Sequence, residues 1–215
     1  GVEYFIPRTI TVYPAPVADF EQLTTCVSDS IRLRDLSVID NSVLPGNQIV
    51  DWDWRLLNAS LGGVIGENGQ DSLAIFYNRY GRDTVRFEVT TNNSCRTVHT
   101  EEILIGGVPE AAFVWEDVAE GSATIFDVTT TMPANDPTGE TGFSDVVWDF
   151  GDGSAIDSGD VSDNYTNKQH LFPGVDTYNV TLYLKTVLGC EDFTTIPVTI
   201  LERISDYPSL ITFDE

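Results

Sequence analysis

Hydrophobic positions along this chain fall in short alternating or continuous runs, never at helical spacing. The runs are rich in Val, Ile, Thr, Phe and Tyr and are separated by Gly, Asn, Asp and Pro. That pattern predicts strands with one face buried, punctuated by turns. The clearest are Thr9–Tyr13, Ser30–Arg34, Ile49–Trp54, Ser72–Tyr77, Thr84–Thr90, Ala111–Trp115, Ala123–Val128, Tyr178–Lys185 and Thr195–Leu201. Many short strands with regular turn signals predict antiparallel sandwiches.

The pattern repeats. Pro16-Val17-Ala18-Asp19-Phe20 matches Pro109-Glu110-Ala111-Ala112-Phe113, and Trp52-Asp53-Trp54 matches Trp148-Asp149-Phe150. Tyr80-Gly81-Arg82-Asp83-Thr84 matches Pro173-Gly174-Val175-Asp176-Thr177, and Ser94-Cys95 matches Gly189-Cys190. All four pairs keep the same order and are offset by 93 to 96 positions. The chain is therefore read as two copies of one module, 16–106 and 109–201, joined by the short hinge Gly106-Gly107-Val108, which is expected to limit bending. Residues 1–15 resemble the last strand of the second copy and are read as the end of a preceding module. Residues 202–215 are read as a linker and the Pro-led first strand of a following one, Pro208–Phe213. The start lacks a charged segment followed by an apolar one, so no signal peptide is expected, and the opening in mid-strand suggests a piece of a tandem array.

Charge narrows the function. The sequence holds 34 acidic against 11 basic residues, a formal net charge of −23. Phosphate binding needs a cationic surface, so neither a nucleic acid nor an anionic membrane is an expected partner. No apolar run approaches the ~18–20 residues needed to span a bilayer as a helix, and direct membrane insertion is not expected. Two readings of the acidity stand: a solvated outer surface, or one that recruits divalent cations.

The densest motif is Val147-Trp148-Asp149-Phe150-Gly151-Asp152-Gly153-Ser154. It reads as a buried strand entering a tight turn, with glycines supplying unusual backbone angles and aspartates tying down amides. The first copy keeps Trp52-Asp53-Trp54 but has Arg55-Leu56-Leu57 where the glycine turn is expected, followed by the glycine-containing insertion Asn58–Gln70.

These residues resemble the PKD (polycystic kidney disease) domain, an immunoglobulin-like sandwich. Trp148–Ser154 is similar to that family's WDFGDGS core, His170-Leu171-Phe172 with Pro173-Gly174 to its H-x-[FY]…G element, and Tyr178–Leu184 to its YxVTLxV strand. The resemblance covers nearly all of 109–201; the first copy is a degenerate relative. It implies an all-β chain of two tandem immunoglobulin-like (PKD) sandwiches. The Cys placement is similar to PKD modules of Bacteroidota surface proteins, many exported by type IX secretion and some acting as gliding-motility adhesins. Asp29-Ser30-Ile31, Asp71-Ser72-Leu73 and Asp83-Thr84-Val85 resemble the O-glycosylation motif of that phylum, which would place sugars on Ser30, Ser72 and Thr84.

The extracellular reading leads to a disulfide between Cys26 and Cys95, worth about 2–4 kcal/mol. Ala119 stands opposite Cys26 in the second copy, so Cys190 is expected to lack a partner in its own module. Two readings of Asp149 and Asp152 stand. They hold the turn by accepting from its amides, or they bind calcium with Asp127, as some PKD relatives do. The acidic run Asp157–Asp163 lacks the EF-hand glycine and glutamate and reads as a solvated loop. Trp148, Trp52 and Trp54 are expected in the core, which leaves Trp115 and Tyr207 as candidate exposed aromatics. His170 is read as a structural hydrogen-bonding residue.

No nucleophile–base–acid set is evident, so no enzyme is expected and no cofactor is required beyond the calcium reading. The sequence is read as non-catalytic spacer or stalk modules of a secreted or cell-surface, adhesin-like protein. Its partners would be neighbouring modules of the same chain, with a surface glycan or protein as a further one. The alternative is a carbohydrate- or protein-binding accessory module of a secreted hydrolase.

Overall fold

The structure, a computed structural model, describes residues 8–42, 44–66, 70–130, 142–158 and 167–203. The chain divides into two compact units, Gly1–Gly106 and Gly107–Glu215. Each is a pair of antiparallel sheets.

In the first unit, β1 (Phe20–Gln22), β2 (Ile31–Asp35), β5 (Ser72–Phe76) and β4 (Val64–Ile65) form one sheet in the order β1-β2-β5-β4. β3 (Ile49–Leu56), β6 (Gly81–Thr91) and β7 (Arg96–Ile105) form the other. Lettered A to G along the chain, these are sheets ABED and CFG, the strand order of a constant-type immunoglobulin sandwich. Among the described residues, the second unit repeats the plan without the fourth strand of the first sheet. β8 (Phe113–Glu116), β9 (Thr124–Val128) and β11 (Lys168–His170) face β10 (Phe143–Asp149), β12 (Thr177–Thr186) and β13 (Glu191–Thr199).

Alternation explains the cores. Along β6 every second residue, Gly81 to Thr91, is buried, and Val85, Phe87 and Val89 meet Ile31, Leu33, Leu73 and Ile75 of the opposite sheet. In the second unit Val180, Leu182 and Leu184 face Phe113, Phe126 and Val128 in the same way. Each unit thus closes its own apolar core, as face-to-face sheets require.

Ladder register gives the internal alignment. Thr91 N donates to Cys95 O and Thr186 N to Cys190 O, both at 2.9 Å, and the hairpins turn through Ser94 (φ +63°) and Gly189 (φ +81°). Counting back from these turns, Phe87 and Leu182 are equivalent. Trp54 lies opposite Phe87 and Trp148 opposite Leu182. The counterpart of Trp148 is therefore Trp54, and the sequence match of Trp52 to Trp148 is two residues out. Both Trp54 and Trp148 are fully buried and pack edge-on against Phe20 and Phe113, at 5.5 and 5.1 Å. A shift of two keeps a side chain on the same face, so the alternation of the sequence does not distinguish the two alignments.

One expected strand does not form. Thr9–Tyr13 forms no strand; Ile10 and Val12 are exposed, and the first bridge is Val17 with Val38. β7 leaves little trace in the sequence pattern because it is an edge strand whose N-terminal half is polar apart from exposed Val98. Pro208–Phe213, Tyr207 and most of the Asp157–Asp163 run lie outside the described residues.

Candidate functional site

The turn after β10 builds an organised polar group in the second unit. Asp149 Oδ1 accepts from Gly151 N at 2.9 Å, and Asp152 Oδ1 from Ser154 N at 3.0 Å. The other Asp152 oxygen lies 2.7 Å from His170 Nε2. Burial works to raise the Asp152 carboxyl, but hydrogen bonds from Ser154 and His170 outweigh it and bring its pKa down to about 2. The ionised carboxylate can only accept, so Nε2 carries the proton. The His170 ring stacks on Phe150 at 3.9 Å and meets Phe172 edge-on at 4.7 Å. Beside it an open hollow of about 570 Å³ is lined by Glu120, Asp152, Ser154, His170 and Leu171, among others.

The corrected register finds the same turn in the first unit. Asn58 stands at the position of Asp152 and Ser60 at that of Ser154, and Asn58 Oδ1 accepts from Ser60 N at 3.2 Å. The turn is conserved as an Asx turn, with Asn in place of Asp; Ile75, fully buried, stands where the second unit has His170. The carboxylate–imidazole hydrogen bond of the second unit is what these positions of the first unit lack.

A second pair is also shared by position. Tyr77 Oη donates to Asp83 Oδ2 at 2.8 Å in a buried bond, and burial, followed by that bond and the Asp83 charge, pushes the phenol pKa up. The equivalent residues, Phe172 and Tyr178, stack at 4.6 Å, and Tyr178 Oη donates back to Gly174 O at 3.1 Å. Such a tyrosine at the start of strand F is a recurrent corner of immunoglobulin-like sandwiches.

Each candidate calcium ligand accepts a local hydrogen bond. Asp127 Oδ1 accepts from Asn167 N at 2.7 Å, while Asp149 and Asp152 serve their own turn. Among the described residues, the trio that brings metal-ligating atoms within 4.8 Å of one another is Asp19, His99 and Glu101 of the first unit. Sequence reading missed it because Asp19 is distant in sequence from an edge strand that carries little pattern.

Of the candidate glycosylation positions, Ser72 is exposed, whereas Ser30 and Thr84 are half-buried. Asp83 is 1% exposed and accepts from Asn58 N, Thr84 N and Tyr77. Trp115 is half-buried against the second core, with its ring 5.9 Å from Phe113.

The cysteines require a correction. Cys95 is free, whereas Cys26 and Cys190 are each disulfide-bonded. The expected Cys26–Cys95 bond fails on geometry. Cys26 bridges Gly106, just past the end of β7, and Cys95 immediately precedes its start. The ten residues of β7 separate them by roughly 35 Å at about 3.4 Å per residue, far beyond the ~7 Å a disulfide allows.

Both units also share a parallel contact between the segment after the first strand and the end of the module. Gly106 N donates to Thr25 O at 2.6 Å and Val27 N to Gly106 O at 2.9 Å. Leu201 N donates to Val118 O at 2.7 Å and Glu120 N to Leu201 O at 2.8 Å.

No protein-family model matches the chain, and no curated protein does. Solved structures resemble it distantly. The PKD1 domain of Vibrio anguillarum Epp is 17% identical over 45% of this chain and 96% of its own, at a TM-score of 0.35. The D0-D1 domain of intimin is 10% identical over 86% of this chain and 100% of its own, at 0.34. The PcdhgB3 EC1-4 structure is 12% identical over 88% of this chain and 50% of its own, at 0.32. The fold assignment rests on the strand order and register above.

Proposed function

We propose that this chain supplies load-bearing, non-catalytic spacer modules of a large secreted or cell-surface, adhesin-like protein. The observation that carries this reading is the parallel clamp. In each unit the segment that follows the first strand is hydrogen-bonded in parallel to the residues just past the last strand, Cys26 with Gly106 and Ala119 with Leu201. Tension on the ends of a module draws these two segments in opposite directions along their length. The bonds Leu201–Val118 and Glu120–Leu201 are then loaded together in shear instead of being peeled one by one.

Other features support the same reading. Each module has its own core, so each can carry load as a unit. Disulfide-bonded Cys26 and Cys190 fit an oxidising, extracellular compartment. The high negative charge keeps such modules solvated and discourages association among copies. The partners are then neighbouring modules of the same protein, and no cofactor is required.

The accessory-module reading makes a different prediction on a polysaccharide and glycoprotein array. Spacer modules retain nothing there. A glycan captured by the native chain and lost in Trp115→Ala, with the fold intact by circular dichroism, would overturn the spacer reading in favour of a binding module.

A further inference from the structure

We propose that Asp19, His99 and Glu101 form a divalent transition-metal site, suited to Zn²⁺, on the rim of the first module. The core-facing row of β7 runs from buried Ile105 and Ile103 to Glu101 and His99, so at one end of the strand the face turned to the opposite sheet becomes polar. Alternate residues share a face, which puts the imidazole and the Glu101 carboxylate side by side. Asp19, just before β1 of the other sheet, completes the group. The site thus spans the two sheets where their edges meet.

Distances fit an ion. His99 Nε2 lies 3.2 Å from Glu101 Oε2 and 3.8 Å from Asp19 Oδ1. Ligands at about 2.1 Å around a tetrahedral ion stand about 3.4 Å apart, so small rotations bring all three into the first coordination sphere. The fourth position is left to water. One imidazole with two carboxylates is a nitrogen–oxygen set that suits zinc and its neighbours, whereas calcium takes oxygen ligands alone.

The side chains are held in place. The His99 ring packs edge-on against Phe20, at 5.5 Å and 75°, and Phe20 is itself buried. Asp19 Oδ1 accepts from Phe20 N at 2.9 Å, and Ser37 Oγ accepts from Asp19 N at 3.1 Å.

The second module is an internal control. By the hairpin register, the positions of Asp19, His99 and Glu101 are Ala112, Thr194 and Ile196 there. The same sandwich therefore forms with none of the three, so the trio is not a requirement of the fold. A simple ion pair of His99 with one carboxylate would need neither the second acid nor the convergence from two sheets.

The test is calorimetric titration of the whole chain with Zn²⁺ at neutral pH, with millimolar Mg²⁺ present to occupy the diffuse acidic surface. One equivalent should bind, with at least ten-fold weaker binding in His99→Asn and in Asp19→Asn. As a readout that needs no variant, Zn²⁺ should shift the imidazole resonances of His99 and leave those of His170 in place. Absence of zinc uptake by the native chain, equal affinity in both variants, or a shift confined to His170 would each overturn the proposal.

Discussion

His170 Nε2 donates to Asp152 Oδ2 across 2.7 Å, joining β11 of one sheet to the turn that leaves β10 of the other. The pair is nearly enclosed, with the Asp152 side chain 5% exposed and that of His170 15%. It therefore acts as a clasp between the sheets. Asp152→Asn keeps the turn, as Asn58 does in the first module, and removes the charge. The variant should lose about 1–3 kcal/mol at neutral pH. The Asp152 pKa is lowered from its ordinary value of 3.8 to about 2. Its contribution is thus present above about pH 4 and is lost as pH falls through about 2. Denaturant titrations of both proteins between pH 7 and pH 2 should converge at the acid end. Parallel curves would show that the charge plays no part.

Gly151 and Gly153 separate two roles of glycine in one turn. Both have positive φ, +70° and +83°. A Cβ on Gly151 would stand 2.4 Å from Asn179 O, whereas one on Gly153 meets nothing within 4 Å. Gly153→Ala should cost only the left-handed backbone penalty, about 1–2 kcal/mol. Gly151→Ala should cost clearly more, because backbone must move. Equal losses in urea melts would contradict the close approach.

Tyr77→Phe in the first module removes the donor to buried Asp83 while leaving the amides of Asn58 and Thr84 on its other oxygen. The expected loss is about 1–3 kcal/mol, seen in the first module's transition and not in the second's. A loss below a few tenths would mean that water replaces the hydroxyl.

Alkylation of the native, unreduced protein should label Cys95 alone, with Cys26 and Cys190 labelled only after reduction. Peptide mass mapping reads this directly. A cross-linked Cys26–Cys95 peptide would contradict the strand geometry.

The sequence disclosed most of the frame and less of the detail. Strands with a clean buried face, such as Val85-Phe87-Val89 and Val180-Leu182-Leu184, were legible because alternation records burial. β7 was not, because an edge strand satisfies little apolar demand, and with it went the equivalence of ends that rules out Cys26–Cys95. The misread match of Trp52 to Trp148 hid the Asn58–Ser60 turn. Composition favours pairing like tryptophans, but only the hydrogen-bond ladder fixes which one faces Phe87. Asp152 with His170 was partly visible, each residue as structural, and their pairing became apparent only when β11 was placed. The trio Asp19, His99 and Glu101 depends on two sheets meeting and leaves no local signal.

Single-molecule extension of the reduced chain, pulled from its ends, tests the load-bearing role most directly. The account predicts two discrete unfolding events, each lengthening the chain by roughly 30 nm, from about 90 residues at about 3.6 Å each. Leu201→Pro, which deletes the amide that donates to Val118 O, should lower the force of one event and spare the other. Smooth extension without discrete events, or a force unchanged by Leu201→Pro, would contradict it.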